Sequence, residues 1–303
     1  MPNDTKAPYA VLFATDLSDG SSIALNYAAG LASVYQAKLV LVHVLDPASQ
    51  SGSTDSSASD LRQLAQSAKL ELESISRSLL AAHGITGEIV VRYGNVRDVI
   101  FQVQQECSVQ LVVMGSSGKK KGASGKTLGS VAEAVLRSLP CSVLIVGPRV
   151  GRRPFSEKAG AVVFTTDFSP ISLAALPVAA SFSARLSANL LLLHVRDSHE
   201  MHAGFEDELK NREKLKKLAQ SVETEPGQVK YFIEGGEVAQ SALSFARDHN
   251  ADFIVMGAHH GDLDDGTRLH GIVSDIVREA HCPVITIAEA TIAASQARAA
   301  GRA

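Results

Sequence analysis

The strongest constraint on the fold is an internal duplication, because two similar halves must each close a core of similar design. "YAVLFATDLSDGSS" from Tyr9 resembles "GAVVFTTDFSPIS" from Gly160. Three further pairs follow in the same order: "AKLVLVHVLDP" with "ANLLLLHVRDS", "VQLVVMGSSG" with "ADFIVMGAHH", and "PCSVLIVGP" with "HCPVITIAE". Four matched segments in one order indicate a duplicated unit.

Each half alternates short apolar runs with longer helix-like stretches, such as Leu61–His83. The runs are continuously apolar, which is typical of strands covered on both faces of a parallel sheet. In the first half they are Tyr9–Thr15, Lys38–Leu45, Glu88–Tyr93, Gln110–Gly115 and Ser142–Gly147. In the second half they are Ala161–Thr166, Asn189–Val195, Gln228–Ile233, Asp252–Gly257 and Val284–Ile287. This alternation predicts two tandem α/β units of the doubly wound type with right-handed crossovers.

The predicted domains are residues 1–150 and 151–290, followed by a tail at residues 291–303. The segment Gly147–Gly160, "GPRVGRRPFSEKAG", is the predicted linker between them. Pro47–Asp60 is rich in serine and is predicted to be a connection. The Ala-rich segment after Ala288 has no core pattern.

Composition excludes several classes of function. The net charge of −3 gives no overall attraction to nucleic acid or to an anionic membrane, and the chain has no Trp for base stacking. No apolar run approaches the ~18 residues of a membrane span. The start, "MPNDTKAPYA", lacks the regions of a secretory signal, and three widely spaced cysteines form no metal pattern. A cytoplasmic protein with reduced thiols is therefore expected.

The segment Gly115–Ser130, "GSSGKKKGASGKTLGS", lies between a strand-like run and a helix-like run and is typical of a phosphate-binding loop. The P-loop pattern requires Gly five residues before Gly125, where this chain has Lys120. A different arrangement fits the glycines. Gly115 ends the strand and Gly118 permits a turn. Gly129 opens a helix whose free N–H groups favour phosphate. Ser130 either binds a phosphate oxygen or caps that helix.

These glycines, together with "FATDLS" and "LVHVLD", resemble the universal stress protein family in its tandem two-domain form. The resemblance runs from about Tyr9 to Ile287, although ten residues separate Gly118 from Gly129 where the family pattern has nine. It implies that each half is a Rossmann-like, five-stranded parallel sheet of order 3-2-1-4-5. It also implies ATP, with or without Mg²⁺, at the carboxyl ends of strands 1 and 4.

The resemblance assigns Asp16 and the backbone of Val44 to adenine, and the turn at Gly94 to the ribose. Glycines and hydroxyls of the loop are assigned to the phosphates. The predicted ATP-binding residues are Thr15, Asp16, Val44, Gly94, Met114, Gly115, Ser116, Gly118, Gly129, Ser130 and Val131. No catalytic or metal-binding residue is predicted.

The second half keeps Asp167, Val195, Gly236 and Gly257 but departs from the pattern in its phosphate loop. His260 replaces the second glycine. With a nine-residue spacer, His270 and Gly271 replace the final Gly-Ser pair; with a ten-residue spacer, Gly271 is kept and Ile272 follows it. Either alignment predicts that ATP binds mainly or only in the first half.

Other polar residues have simpler interpretations. The lysines of the loop (Lys119, Lys120, Lys121 and Lys126) either clamp phosphate or form a solvated charge run. The segment "GAHHGDLDDGTRLHG" is more typical of a polar loop than of a metal site. His43 and His194 follow the same apolar run in each half and are expected to satisfy a local hydrogen bond. Cys141 and Cys282 are expected to be small buried residues.

The favoured function is a cytoplasmic stress-response protein that binds ATP in its N-terminal domain and regulates an unidentified protein partner. Nucleotide occupancy would then order the Gly118–Gly129 loop. The alternatives are a nucleotide-independent interaction protein with vestigial pockets, or a slow ATPase or kinase. In the family that the chain resembles, single-domain proteins pair through their final strands, so the resemblance implies that the two domains pair through Ser142–Val146 and Val284–Ile287. That pairing would cover two edge strands, and a homodimer of the whole chain stays an open alternative.

Overall fold

The computed structural model describes residues 9–18, 20–47, 58–85, 87–116, 128–152, 155–201, 205–222, 229–257, 267–288 and 291–293. These residues form two successive sets of alternating strands and helices. The first set is β1 (Ala10–Thr15), α1 (Ser21–Tyr35), β2 (Lys38–Leu45), α2 (Ala58–His83), β3 (Gly87–Tyr93), α3 (Val96–Glu106), β4 (Leu111–Gly115), α4 (Ser130–Ser138) and β5 (Ser142–Val146). The second set is β6 (Ala161–Thr165), α5 (Pro170–Arg185), β7 (Asn189–Arg196), α6 (Ser198–Met201), α7 (Phe205–Ser221), β8 (Val229–Gly235), α8 (Val238–Asp248), β9 (Phe253–Gly257), α9 (Thr267–Glu279) and β10 (Val284–Ile287).

The apolar runs of the sequence all become strands, and their ends lie within two residues of the predicted ones. Local signals set several helix starts. The side chain of Asn95 accepts hydrogen bonds from two amides of α3, and Ser169 does the same for one amide of α5, where Pro170 is the first helical residue.

All ten strands join one sheet in the order β3-β2-β1-β4-β5-β10-β9-β6-β7-β8. Each half therefore has the order 3-2-1-4-5, and all pairs within a half are parallel. The predicted fold class, two tandem doubly wound domains, is confirmed.

The sheet separates two hydrophobic cores. One core contains the inward faces of α3, α4, α8 and α9, and the other contains those of α1, α2, α5 and α7. Neighbouring strand residues alternate between them: Leu12 belongs to the first core, and Val11 and Phe13 belong to the second. Because both faces of every central strand are covered, the sequence of these strands is apolar without alternation.

The two halves meet where β5 and β10 pair in an antiparallel manner, with Leu144 opposite Ile285. The structure thus forms the predicted pairing of the final strands, which removes two sheet edges from solvent. Since the two sets of strands run in opposite directions, their carboxyl ends lie at opposite edges of the common sheet.

Other contacts add to this junction. The ring of Phe155 packs on Gly30 of α1, and Arg185 of α5 lies 5.0 Å from the ring centroid of Tyr35. Burial raises the pKa of Tyr35 to about 12, although Arg185 acts in the opposite direction. Ile292 is only 5% exposed and joins the core, so the segment after Ala288 contributes an apolar residue that the sequence pattern did not indicate.

The three cysteines are free thiols. Cys141 and Cys282 are buried as predicted, and burial raises the pKa of each thiol to about 12.

Among the described helices, none combines the length and the apolar character required to cross a bilayer.

Candidate functional site

The candidate site of the first half lies where β1 and β4 are neighbours, with Ala14 opposite Met114. After β1 the chain turns into α1 on one face of the sheet, and after β4 it leads to α4 on the other face. The two connections diverge, which leaves a crevice at the carboxyl ends of the strands. Ligands of open α/β sheets typically bind at such a switch point.

The turn after β1 is held by its own side chains. Leu17 has a left-handed φ of 57°, and its amide donates to Oγ1 of Thr15 at 2.9 Å. Oγ1 of Thr15 donates in turn to Oγ of Ser21 at 3.0 Å. Oδ1 of Asp16 accepts from the amide and the hydroxyl of Ser18, at 3.1 and 2.6 Å. Asp16 is thus a structural carboxylate of this turn, whatever else it contacts.

The second half repeats this turn. Phe168 has a φ of 60°, its amide donates to Oγ1 of Thr166, and Oδ1 of Asp167 accepts from the amide of Ser169. Burial acts to raise the pKa of Asp167, but hydrogen bonds from Ser169 and Ser172 outweigh it and hold that pKa below its usual value. The pattern T-D-x-S-x-x-S occurs in both halves and marks the positions of Leu17 and Ser21 in this turn. Our site prediction did not include these two residues.

The two repeated histidines also have equivalent contacts. Nδ1 of His43 lies 2.9 Å from the carbonyl oxygen of Thr15, and Nδ1 of His194 lies 2.8 Å from that of Thr166. A carbonyl can only accept, so Nδ1 donates in both rings. The interpretation of these histidines as local hydrogen-bonding residues is confirmed.

The predicted ribose turn has the same backbone in both halves. Gly94 has a φ of +138° and Gly236 a φ of +129°, values that side chains rarely adopt. The amide of Gly94 donates to the carbonyl oxygen of Leu45, which ties the end of β3 to the end of β2. Val44 lies next to this bond, half-buried in β2. The turn therefore borders the strand end to which the adenine contact was assigned.

At the end of the crevice to which the sequence prediction assigned the phosphates, β4 finishes beside β5. Gly115 pairs with Val146, and Met114 is 6% exposed. The next residue, Ser116, is also buried, and its amide donates to the carbonyl oxygen of Val146 at 3.0 Å. Its position is therefore fixed by β5 as well as by β4.

Helix α4 begins at Ser130, and Gly129 occupies the N-cap position with φ −61° and ψ 142°. The amide of Gly129 donates to the carbonyl oxygen of Ser116 at 2.9 Å, and no side chain caps the helix. Ser130 is exposed and is not the cap, so that alternative is wrong. The first-turn N–H groups are therefore available to an anion. Val131 is half-buried against the core, and Gly118 lies outside the described residues.

Helix α9 differs from α4 at this end. Both helices finish three residues before a buried cysteine, but α9 has 13 residues and α4 has nine. Gly271 is the counterpart of Ser130, which selects the nine-residue alignment, and it lies inside α9. In α9, one further turn of helix thus precedes Gly271, the position equivalent to the start of α4. The backbone N–H group at Gly271 therefore lies inside the helix.

The second half also has a polar cluster at the end of β7. Nε2 of His194 lies 2.8 Å from Oε2 of Glu200 in α6, and 3.3 Å from Nδ2 of Asn211 in α7. Arg196 donates to Glu208 at 2.8 Å and to the carbonyl oxygen of Glu200 at 2.9 Å. Side chains of α6 and α7 therefore cover this strand end.

The four loop lysines, and the segment from His259 to Asp265 in which the metal alternative was considered, lie outside the described residues. Within the described ranges, no group of three His, Cys, Asp or Glu side chains is arranged to hold a metal ion.

Comparison with known proteins agrees with the duplication. The model of the universal stress protein family matches residues 10–147 and again residues 159–288. A universal stress protein of Mycolicibacterium smegmatis is 26% identical over 292 residues, covering 92% of this chain and 97% of its own. Universal stress protein G of Salmonella typhimurium is 32% identical over 109 residues, covering 35% of this chain and 75% of its own.

Among solved structures, the chain is similar to a universal stress protein from Archaeoglobus fulgidus. The TM-score is 0.69 at 22% identity, with 92% of this chain and 98% of that chain covered. At this identity the likeness concerns the fold. It extends over both halves, which agrees with the tandem organisation seen in the sheet.

Proposed function

The chain belongs to the universal stress protein family, and on that premise we propose that its first half, residues 1–150, binds ATP. The adenine lies at the ends of β1 and β2, against Asp16 and the backbone of Val44. The ribose lies at the Gly94 turn, and the phosphates lie at Ser116, Gly118 and the start of α4. The protein acts in the cytoplasm as a nucleotide-dependent regulator of a protein partner.

The observation that carries this proposal is the start of α4. A helix N-terminus without a side-chain cap opens beside the end of β4, held there by the hydrogen bond from Gly129 to Ser116. The amides of the first turn and the hydroxyl of Ser130 supply donors for a phosphate, and the helix dipole favours its negative charge. Magnesium could accompany the nucleotide without a protein ligand, since phosphate oxygens and water satisfy it.

We propose that the second half, residues 151–290, does not bind a triphosphate. The additional turn of α9 removes the free amides from the equivalent position. The contacts of His194 with Glu200 and of Arg196 with Glu208 cover the end of β7, the counterpart of the strand end to which adenine is assigned in the first half. The second half thus keeps the fold of the site and lacks its donors.

Isothermal titration of ATP onto the full chain tests both statements. We expect one ATP per chain, and the variant Ser130→Pro should bind at least about tenfold more weakly, since a hydrogen bond to a charged group contributes about 1.5–3 kcal/mol. Two equivalents of ATP per chain would contradict the asymmetry.

No binding at millimolar ATP, with the protein folded, would favour the alternative of a nucleotide-independent interaction protein. Mass measurement of the protein purified without added nucleotide gives an independent check. ATP carried through purification by the wild type and absent from Ser130→Pro would support the proposed site.

A further inference from the structure

The base of the proposed phosphate site contacts the second half of the chain. Ser116 links three elements, because it follows β4, donates to Val146 at the end of β5, and accepts from Gly129 at the start of α4. Its exposure of 6% leaves little room for adjustment. Any displacement of the end of β5 therefore reaches both ends of the loop that the site depends on.

The residue after Val146 is Gly147, which packs against the last turn of α9. A Cβ atom at Gly147 would lie well under 3.0 Å from the carbonyl oxygen of Val277, which is closer than Cβ atoms approach other heavy atoms in proteins. It would lie 3.3 Å from the carbonyl carbon of the same residue. Val277 is 1% exposed, and its backbone is part of the helix. This contact leaves no space for a side chain, and neither partner can rotate away.

A second contact fixes the same two segments. The guanidinium of Arg149 lies 2.5 Å from a carboxylate oxygen of Glu279, at the end of α9. On the other side, the β5–β10 ladder holds Leu144 opposite Ile285. The end of β5 is thus held between its own half and α9.

We infer that α9 of the second half is a positioning element for the nucleotide site of the first half, acting through Gly147 and the Val146–Ser116 hydrogen bond. The inference rests on the proposed function for its ligand. Hydrogen bonds weaken steeply when distance and angle change, and packed backbone transmits a displacement rather than absorbing it. The second half therefore contributes to ATP binding although it supplies no ligand of its own.

The test compares three alanine variants of the full chain by ATP titration and urea unfolding. In Gly147→Ala the methyl group must displace α9 or β5, and we expect the Kd for ATP to rise about tenfold. Gly151→Ala adds a methyl group in open space and should change nothing. Gly30→Ala clashes with the ring of Phe155, on the face of the sheet opposite to α4, and should lower stability without changing the Kd.

A Gly147→Ala protein that is folded and binds ATP like the wild type would overturn the inference, as would an equal rise in Kd for Gly30→Ala. If Gly147→Ala does not fold, charge reversal replaces it. Arg149→Glu should weaken ATP binding about threefold, and Arg149→Glu combined with Glu279→Arg should restore it. If the double variant does not restore ATP binding, the inference is overturned.

Hydrogen exchange separates this inference from the proposed function, because it needs no nucleotide. The amides of Ser116 and Gly129 should exchange at least about tenfold faster in Gly147→Ala than in Gly151→Ala. If the wild type binds no ATP but exchange accelerates, only the proposed function fails. If the wild type binds ATP and exchange is unchanged, only the positioning role fails.

Discussion

The start of α4 and the start of α9 differ by one turn of helix at equivalent places in two otherwise similar halves. Both halves keep the strand order, the threonine-supported turn after the first strand, and a glycine with positive φ after the third. The difference teaches that the fold persists when the helix start beside the crevice is changed. The core needs only the apolar face of each helix, whereas an anion site needs free amides at one point.

The largest expected effect comes from proline at the two equivalent helix positions. Ser130 is the first residue of α4, where proline is tolerated, and the ψ of 142° at Gly129 suits a residue before proline. Ser130→Pro should therefore fold normally and lose ATP affinity at least tenfold, because one amide and the hydroxyl are removed.

The counterpart, Gly271→Pro, should do the opposite. Gly271 lies inside α9, so proline removes a helical hydrogen bond and destabilises the protein by about 3 kcal/mol, whereas it removes no donor from the proposed ATP site. Any loss of ATP affinity transmitted through α9 should be smaller than the loss in Ser130→Pro. Urea unfolding and ATP titration of both variants measure the contrast. Equal loss of affinity in the two would show that the halves do not differ as we propose.

The next effect compares the two glycines of positive φ. Gly94→Ala and Gly236→Ala should each lower the free energy of unfolding by about 1–3 kcal/mol, because alanine is strained at φ values near 130°. Only Gly94→Ala should also weaken ATP binding. If ATP affinity falls as much in Gly236→Ala, the ribose does not lie at the first turn alone.

A smaller effect is expected at the turn after the first strand of each half. Thr15→Val and Thr166→Val keep the shape of the side chain and remove the acceptor of the Leu17 or Phe168 amide. Each should cost about 1 kcal/mol in urea unfolding. Since this turn is shared, a cost in one half only would contradict its structural equivalence.

The smallest effect concerns pH. The folded-state pKa of Asp167 lies below its ordinary value of 3.8, so its ionised form favours folding above that value. This stability is lost as the pH falls through the folded pKa. Asp167→Asn should therefore flatten the decline of Tm below about pH 4. The side-chain oxygen of the introduced asparagine still accepts the hydrogen bond from the backbone amide of Ser169. A Tm profile parallel to that of the wild type would refute this contribution.

Much of the fold could be predicted from the sequence. Strands such as β1 and β6 are apolar on both faces, so they could be recognised in the sequence as continuous apolar runs. Because the unit is duplicated, each element could also be identified from its counterpart in the other half. The partnership of β5 and β10 was also predicted, but through the family resemblance, and the pairing removes two sheet edges from solvent. Ile292 was missed because one buried residue in an Ala-rich segment makes no periodic pattern.

The candidate site was less accessible from sequence. The glycines indicated where the loop begins and ends, but not that Gly129 rather than Ser130 is the N-cap, nor that α9 starts a turn earlier. Helix starts depend on caps and on how far packing supports the first turn, and "RLHGIV" contains no strong cap. The role of Leu17 depends on its φ, which no propensity for leucine predicts.

The sequence by itself determined two doubly wound units, their strand order through family resemblance, and the loss of glycines from the second phosphate loop. The two units and the loss of glycines follow from local composition and from comparison of the two halves. Only the tertiary structure decided that Gly147 packs against Val277 and that Ser116 connects β4, β5 and α4. Such contacts join residues far apart in the chain, and backbone atoms, which every residue shares, make them.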